Sequence, residues 1–395
     1  MEEPQHIIDK PRIASYAFAF DIDGVLVKGS ETIPEAPEAL RILNGDNKYN
    51  ITVPYIFVTN GGGKTEKLRC EDLSDRLGVP VLPEQFIQGH TPMKDLAEKF
   101  NTVLVVGGVG EACRNVAHSY GFRDVVTPGD ILKWNPHVSP YRTLSEDEYN
   151  NSKERDFSKV AIEAILVFAD SREWASDQQI ILELLMSKNG VMGTTSENHD
   201  EGPPIYFAHN DFVWSTNYKL NRIGMGALLV SISALYQEHT GRQLDKVIKF
   251  GKPNQETFAY ASKVLTDWRQ QSYGSFSDRH TTDESDSALT TTAATTPNSA
   301  NNIVLEGEES EAEEIKEYLP SASTVYFVGD TPESDIRFAN TFDKRWHSIL
   351  VKTGVYQDGT EPTFKPKTIC SNVLEAVKFA IEREHLKELE EMGSA

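Results

Sequence analysis

Two aspartates spaced two residues apart close an apolar run, Tyr16-Ala-Phe-Ala-Phe-Asp21-Ile-Asp23-Gly24. A buried strand has no local use for two carboxylates at its end. Where a parallel strand meets a loop, they occupy the place at which open α/β sheets hold ligands. There one acid can attack an electrophile while the other handles protons, and the two can share a divalent cation. Taken alone, the pattern also describes a strand running into a solvated turn, because Asp and Gly are common turn residues.

Three further stretches share this design. Tyr55-Ile-Phe-Val runs into Thr59-Asn60-Gly61-Gly62, whose hydroxyl, amide and backbone N–H groups suit phosphate oxygens. Phe250-Gly251-Lys252-Pro253-Asn254 places a lysine between a strand and a helix, a point charge for an anion. Tyr326-Phe-Val-Gly329-Asp330 repeats the strand-then-carboxylate arrangement, and Asp335 follows five residues later. Oxygen donors of this kind suit Mg²⁺, which takes few carboxylates and keeps several waters.

The elements that must position these groups are legible as alternating short apolar runs and amphipathic stretches. Strands are predicted at 16–20, 55–58, 103–106, 164–168, 205–207, 247–250, 325–328 and 349–351. Helices are predicted at 34–43, 65–77, 91–99, 110–120, 177–187, 222–238, 254–269, 335–340 and 373–390. The alternation predicts an α/β protein built on parallel sheets.

The chain has 395 residues, room for one large or two ordinary domains. Its net charge of −21 argues against nucleic acid as a partner. Residues 271–320 carry eleven acids against two bases, so the remainder is only moderately acidic. Within that segment, residues 273–302 are rich in Ser, Thr, Ala, Asp and Asn and bury too little apolar surface to offset the entropy of ordering. They are expected to form a mobile insertion, with acidic 306–317 as a frayed helix continuing it. Three scattered cysteines, Cys70, Cys113 and Cys370, point to a reducing compartment rather than a disulfide frame or a zinc site. No apolar run is long enough to span a membrane, and the first residues resemble neither a secretory signal nor a transit peptide.

In order and at both ends of the chain, the four strand-end elements resemble motifs I to IV of the haloacid dehalogenase-like phosphohydrolases. The long segment between the second and third elements resembles the α/β cap of the class IIA members. Gly89-His-Thr-Pro92, Leu166-Val-Phe-Ala-Asp170 with Trp174, Tyr218-Lys-Leu-Asn-Arg222 and Leu350-Val-Lys-Thr-Gly-Val-Tyr356 resemble the subgroup of cat-eye-syndrome-critical-region-like proteins and a fungal mitochondrial hydrolase. The resemblance implies a doubly wound parallel-sheet core from residues 1–62 and 247–395, with a cap at 63–246. It implies that Asp21 is the nucleophile, that Asp23 protonates the leaving alkoxide and then activates water, and that Lys252 balances charge. Thr59, Asn60 and Gly61 would grip the phosphoryl group. Mg²⁺ would take Asp21, the backbone carbonyl of Asp23 and Asp330, with Asp335 behind them or reached through water. The acid at Asp23 fits phosphate-ester hydrolysis rather than dehalogenation. Ala208-His209-Asn210-Asp211 lies where class IIA caps carry a substrate-facing turn, making Asn210 and Asp211 candidate substrate contacts; the residues alone equally describe a turn capping a strand.

The implied activity is Mg²⁺-dependent hydrolysis of a small phosphomonoester, with homo-oligomerisation left open and a mitochondrial or cytoplasmic location. A silent ligand-binding or scaffold protein of the same fold is the alternative. Gly61-Gly-Gly-Lys64-Thr65 fails the P-loop pattern, because the glycine required earlier is Val58. Gly107-Gly108-Val109-Gly110 matches a dinucleotide fingerprint in part, which keeps a dinucleotide-binding oxidoreductase as a third reading.

Overall fold

The computed structural model describes residues 12–281 and 319–393. Two parallel sheets organise them. The first has six strands in the order Thr368–Cys370, Trp346–Val351, Val325–Gly329, Ala17–Phe20, Tyr55–Val58 and Phe86–Ile87. The second has five, in the order Val247–Lys249, Ile205–Phe207, Ala164–Val167, Thr102–Val106 and Asp124–Val126. This is the α/β architecture implied by the alternating runs, a doubly wound parallel core with an inserted α/β unit.

Ala17–Phe20 lies at the centre of the first sheet, and all four residues are buried. Its alternation of rings and methyls builds two unlike faces. Phe18 and Phe20 pack with Tyr326, Val328 and Phe57 beneath helices Ala36–Leu43, Glu66–Leu77 and Val373–Gly393. Ala17 and Ala19 lie on the other face with Ile56, Val58 and Phe327, against Phe258, Ala261 and Leu265 of helix Gln255–Thr281. Burying each such ring contributes about 1.5–3 kcal/mol. Local chemistry sets the helix ends: Thr65 caps Glu66–Leu77 by accepting the Leu68 N–H at 3.4 Å, and Gly78 closes it in the left-handed region.

The structure differs from the sequence reading in several places; Arg222–Ile223, expected to open a helix, pairs as a strand with Val213–Trp214. Phe86–Ile87, inside the segment assigned to the cap, pairs with Tyr55–Val58 as an edge of the core sheet. Val247–Lys249, assigned to the core, is an edge of the second sheet, where the Phe250 N–H donates to the Phe207 carbonyl at 2.8 Å. The chain therefore leaves the core sheet after Ile87 and returns after Lys249. Finally, the helix expected at 254–269 runs on to Thr281, into the stretch expected to be mobile; residues 282–318, including 306–317, lie outside the described residues. Among the described residues no helix is long and apolar enough to cross a membrane, and Cys70, Cys113 and Cys370 are buried and unpaired.

Candidate active site

Register brings the motif residues to one edge. Phe20 pairs with Val328 on one side and Phe57 on the other, so Asp21, Asp330 and Thr59 all leave the sheet at the carboxyl ends of adjacent strands. The chain reverses its direction of winding about Ala17–Phe20, and such switch points open a crevice for ligands.

Three carboxylates and one ammonium meet there, all buried. Lys252 Nζ lies 2.6 Å from Asp21 Oδ1 and 2.7 Å from Asp335 Oδ1. The second contact is a close ion pair. Burial opposes the lysine's charge, yet Asp21 and Asp335 outweigh it and hold its pKa above the ordinary value. Burial raises the Asp21 carboxyl well above the usual range, against the pull of Lys252. Burial, with Asp335 adding to it, pushes Asp330 up to about 8. Oxygens of Asp21, Asp330 and Asp335 lie within 4.8 Å of one another. These acids have more negative charge than one lysine can balance, and their hard oxygen donors suit a divalent cation.

Backbone details hold the acids in place. Asp335 Oδ2 accepts the N–H groups of Asp330 and Thr331, each at 3.0 Å. Asp330 Oδ2 accepts the Val355 N–H at 2.6 Å, and Oδ1 accepts the Thr331 hydroxyl at 3.1 Å. A Cβ on Gly354 would stand 1.8 Å from Asp330 Oδ2, and one on Gly24 2.2 Å away. These glycines leave space that the carboxylate needs. Gly354→Ala is therefore expected to displace Asp330 and lower turnover about a hundredfold, the scale for a misplaced reacting group. Steady-state assays beside a melting curve check this; an unchanged rate would dissociate Asp330 from the chemistry.

The remaining motif residues divide by role. The Asp23 side chain is 44% exposed, lies outside the acid cluster, and has Arg69 Nη2 3.9 Å away. Thr59 is buried and its Oγ1 accepts the Gly61 N–H at 3.0 Å, which leaves the hydroxyl proton for another acceptor. Asn60 acts as a bracket. Its Oδ1 accepts the Lys252 N–H at 2.7 Å, while its Nδ2 donates to the Lys252 carbonyl at 3.1 Å and to Asp211 Oδ2 at 2.9 Å. Lys252 thus sits where the second sheet's edge strand hands the chain to a helix on the core.

These groups line a cavity of about 200 Å³ together with Asp170, Arg172, His209, Asp211 and Trp214 from the inserted unit. Asp211 lines it. Asn210 does not line it, and its Oδ1 lies 3.3 Å from the Asn254 amide. Arg69, Arg172 and Trp214 escaped the sequence reading, because single surface residues carry no spacing signal.

Both glycine-rich turns are packed against neighbouring chain. A Cβ on Gly62 would meet His90 Cδ2 at 2.6 Å, and the Gly63 N–H donates to His90 Nε2 at 3.1 Å, so packing against His90 accounts for the last two glycines of the run, while Gly61 and Gly62 also line the site cavity. A second cavity of about 260 Å³ borders Gly107–Gly110. There a Cβ on Gly107 would stand 1.8 Å from the Ala169 carbonyl oxygen, and one on Gly108 2.7 Å from Cys113 Sγ; chain packing alone requires both glycines.

Known proteins resemble this chain over most of its length. Residues 18–123 match the family profile described as haloacid dehalogenase-like hydrolase, and residues 249–376 match a second, HAD-hydrolase-like profile. A mitochondrial hydrolase of Saccharomyces cerevisiae is 37% identical over 382 residues, covering 93% of this chain and 96% of that protein. A Schizosaccharomyces pombe fusion of cardiolipin synthase (CMP-forming) with a mitochondrial hydrolase is 34% identical over 376 residues. That match takes in 95% of this chain but spans only about half, 54%, of the fusion protein. The p-nitrophenyl phosphatase of Archaeoglobus fulgidus shares the fold, with a TM-score of 0.52 at 16% identity over 94% of this chain and 99% of that one. On the strength of the two profiles and the near-complete overlap with the yeast relative, this chain belongs to the haloacid dehalogenase-like hydrolases.

Proposed function

We propose that the protein is a Mg²⁺-dependent phosphomonoesterase working through an aspartyl-phosphate on Asp21. The observation that carries this reading is the meeting of three buried carboxylates with a single buried lysine, Asp21, Asp330 and Asp335 around Lys252. Asp21 and Asp330, with the Asp23 carbonyl, would hold Mg²⁺, Asp335 standing behind. Bound there, the ion would neutralise charge on the transferring phosphoryl group.

The chain's own residues supply the rest. An Asp21 oxygen attacks phosphorus as the ester's alkoxide leaves, and Lys252 keeps that carboxylate ionised and oriented. Asp23, open to the cavity, gives its proton to the departing oxygen. It then takes a proton from the water that attacks the aspartyl-phosphate, which frees inorganic phosphate and restores Asp21. The Thr59 hydroxyl donates to a phosphoryl oxygen. Closure of the inserted unit as a cap, about the crossings after Ile87 and Lys249, would exclude water while the intermediate forms.

The substrate class is a small phosphomonoester, in keeping with the cavity's volume and with the name of the Archaeoglobus neighbour, a p-nitrophenyl phosphatase. A panel of p-nitrophenyl phosphate, glycerol and sugar phosphates, nucleoside monophosphates including CMP, and lipid phosphates tests it. Turnover that appears with Mg²⁺ and vanishes with chelator is expected for at least one ester. Complete inactivity across the panel would favour a silent ligand-binding role for the fold. Two relatives named as mitochondrial hydrolases support a mitochondrial location, which cell fractionation checks.

A further inference from the structure

One surface feature lies outside this chemistry. Between the inserted unit's candidate turn and helix Met225–Thr240, the chain folds back as a hairpin, Val213–Trp214 against Arg222–Ile223. Phe212, Trp214, Tyr218, Leu220 and Ile223 are each 41–62% exposed. Seventeen large apolar side chains stand exposed among the described residues, and these twelve positions hold five of them. Scattered exposed apolar residues need no explanation, but a cluster of this density does.

Charge narrows the choice of partner. The stretch from Phe212 to Ile223 contains two bases, Lys219 and Arg222, and no acid, in a chain of net charge −21. Arg222 pairs across the hairpin with Trp214, and its guanidinium lies 5.2 Å from the centre of the Tyr218 ring. Bases interleaved with Trp, Tyr, Phe, Leu and Ile are the composition of segments that lie in a membrane interface, with rings at the headgroup level and cations on anionic lipid. A two-fold contact between copies would instead set these bases against themselves. The hairpin lies close to the core: a Cβ on Gly29 would stand 3.1 Å from Asn217 Oδ1. The chain's overall negative charge is screened beyond about 10 Å at ordinary salt, so the local patch governs close approach.

We propose that this hairpin docks the protein on an anionic phospholipid surface. Because Val213, Trp214 and Ser215 also line the active-site cavity, docking brings the cavity's mouth to that surface. The proposal concerns where the protein sits and stands apart from whether it turns over phosphate esters.

The test uses the full chain and phosphatidylcholine vesicles with or without phosphatidylglycerol, read by co-sedimentation. Binding is expected only with phosphatidylglycerol and should weaken as salt rises. Lys219→Gln with Arg222→Gln should weaken it about thirtyfold, the fold-change for two lost charges. Tyr218→Ser with Leu220→Ser should weaken it independently, and unchanged melting of both variants shows that the fold is kept. Trp214, the one exposed tryptophan among the described residues, should be quenched by brominated lipid. Equal binding to neutral and anionic vesicles, or no binding to either, overturns the proposal. So does self-association that these substitutions abolish, which would assign the hairpin to a second copy of the chain.

Discussion

Asp21→Asn is expected to lower turnover of any accepted phosphomonoester by about 10⁴- to 10⁶-fold, the range seen when a covalent nucleophile is removed. The amide cannot form the acyl phosphate, and Lys252 loses one of its two carboxylate partners. The same substitution should leave the melting temperature unchanged or raised. Burial disfavours the Asp21 charge, and Asp335 still pairs with the lysine. The contrast matters, since lost activity with retained stability separates chemical failure from unfolding. A rate within tenfold of wild type would remove Asp21 from the role of nucleophile.

Lys252→Met is expected to fail in both respects. Nζ sits between Asp21 and Asp335 at 2.6 and 2.7 Å, and the side chain is 2% exposed. Deleting one partner of a buried ion pair leaves uncompensated charge and destabilises a protein by about 3–5 kcal/mol. Methionine keeps much of the volume, so the loss reports charge rather than a cavity. Turnover should also fall, because nothing then keeps Asp21 ionised and oriented. Chemical denaturation and steady-state assays measure the two effects; a variant as stable as wild type would mean that the acids are protonated and the lysine is not their counter-ion.

The sequence shows the strand-end acids plainly, and the reason is physical. A carboxylate after four buried residues, as at Asp21 and Asp330, serves no local structure, so its presence signals a site. Lys252 was legible as a charge but not as a junction. Which sheet Val247–Lys249 joins depends on pairing with Ile205–Phe207, far away in the chain. Phe86–Ile87 is too short to show periodicity, and only its pairing with Phe57 and Val58 makes it a strand. Gly24 and Gly354 read as ordinary turn residues until Asp330 is seen filling the space beside them. Arg69 looked like any helix-surface base, and only folding sets it near Asp23. The helical residues just before Thr281 include Ser272, Gly274, Ser275, Ser277 and Asp278, types of modest or poor helix propensity.

The order of strands in the first sheet bears on how the protein comes into being. Ala17–Phe20 is flanked by Tyr55–Val58 on one side and by Val325–Gly329 on the other. During synthesis, the strand that carries Asp21 has a neighbour on one side only until the chain has been made through Gly329. Its other edge, bordered by aromatic residues, stays open meanwhile, a template for mispairing. Contacts between such distant residues also form slowly, since the intervening loop must close first. Asp21 and Asp330 are thus brought together late in the chain's synthesis, and until then the open strand edge is exposed to mispairing.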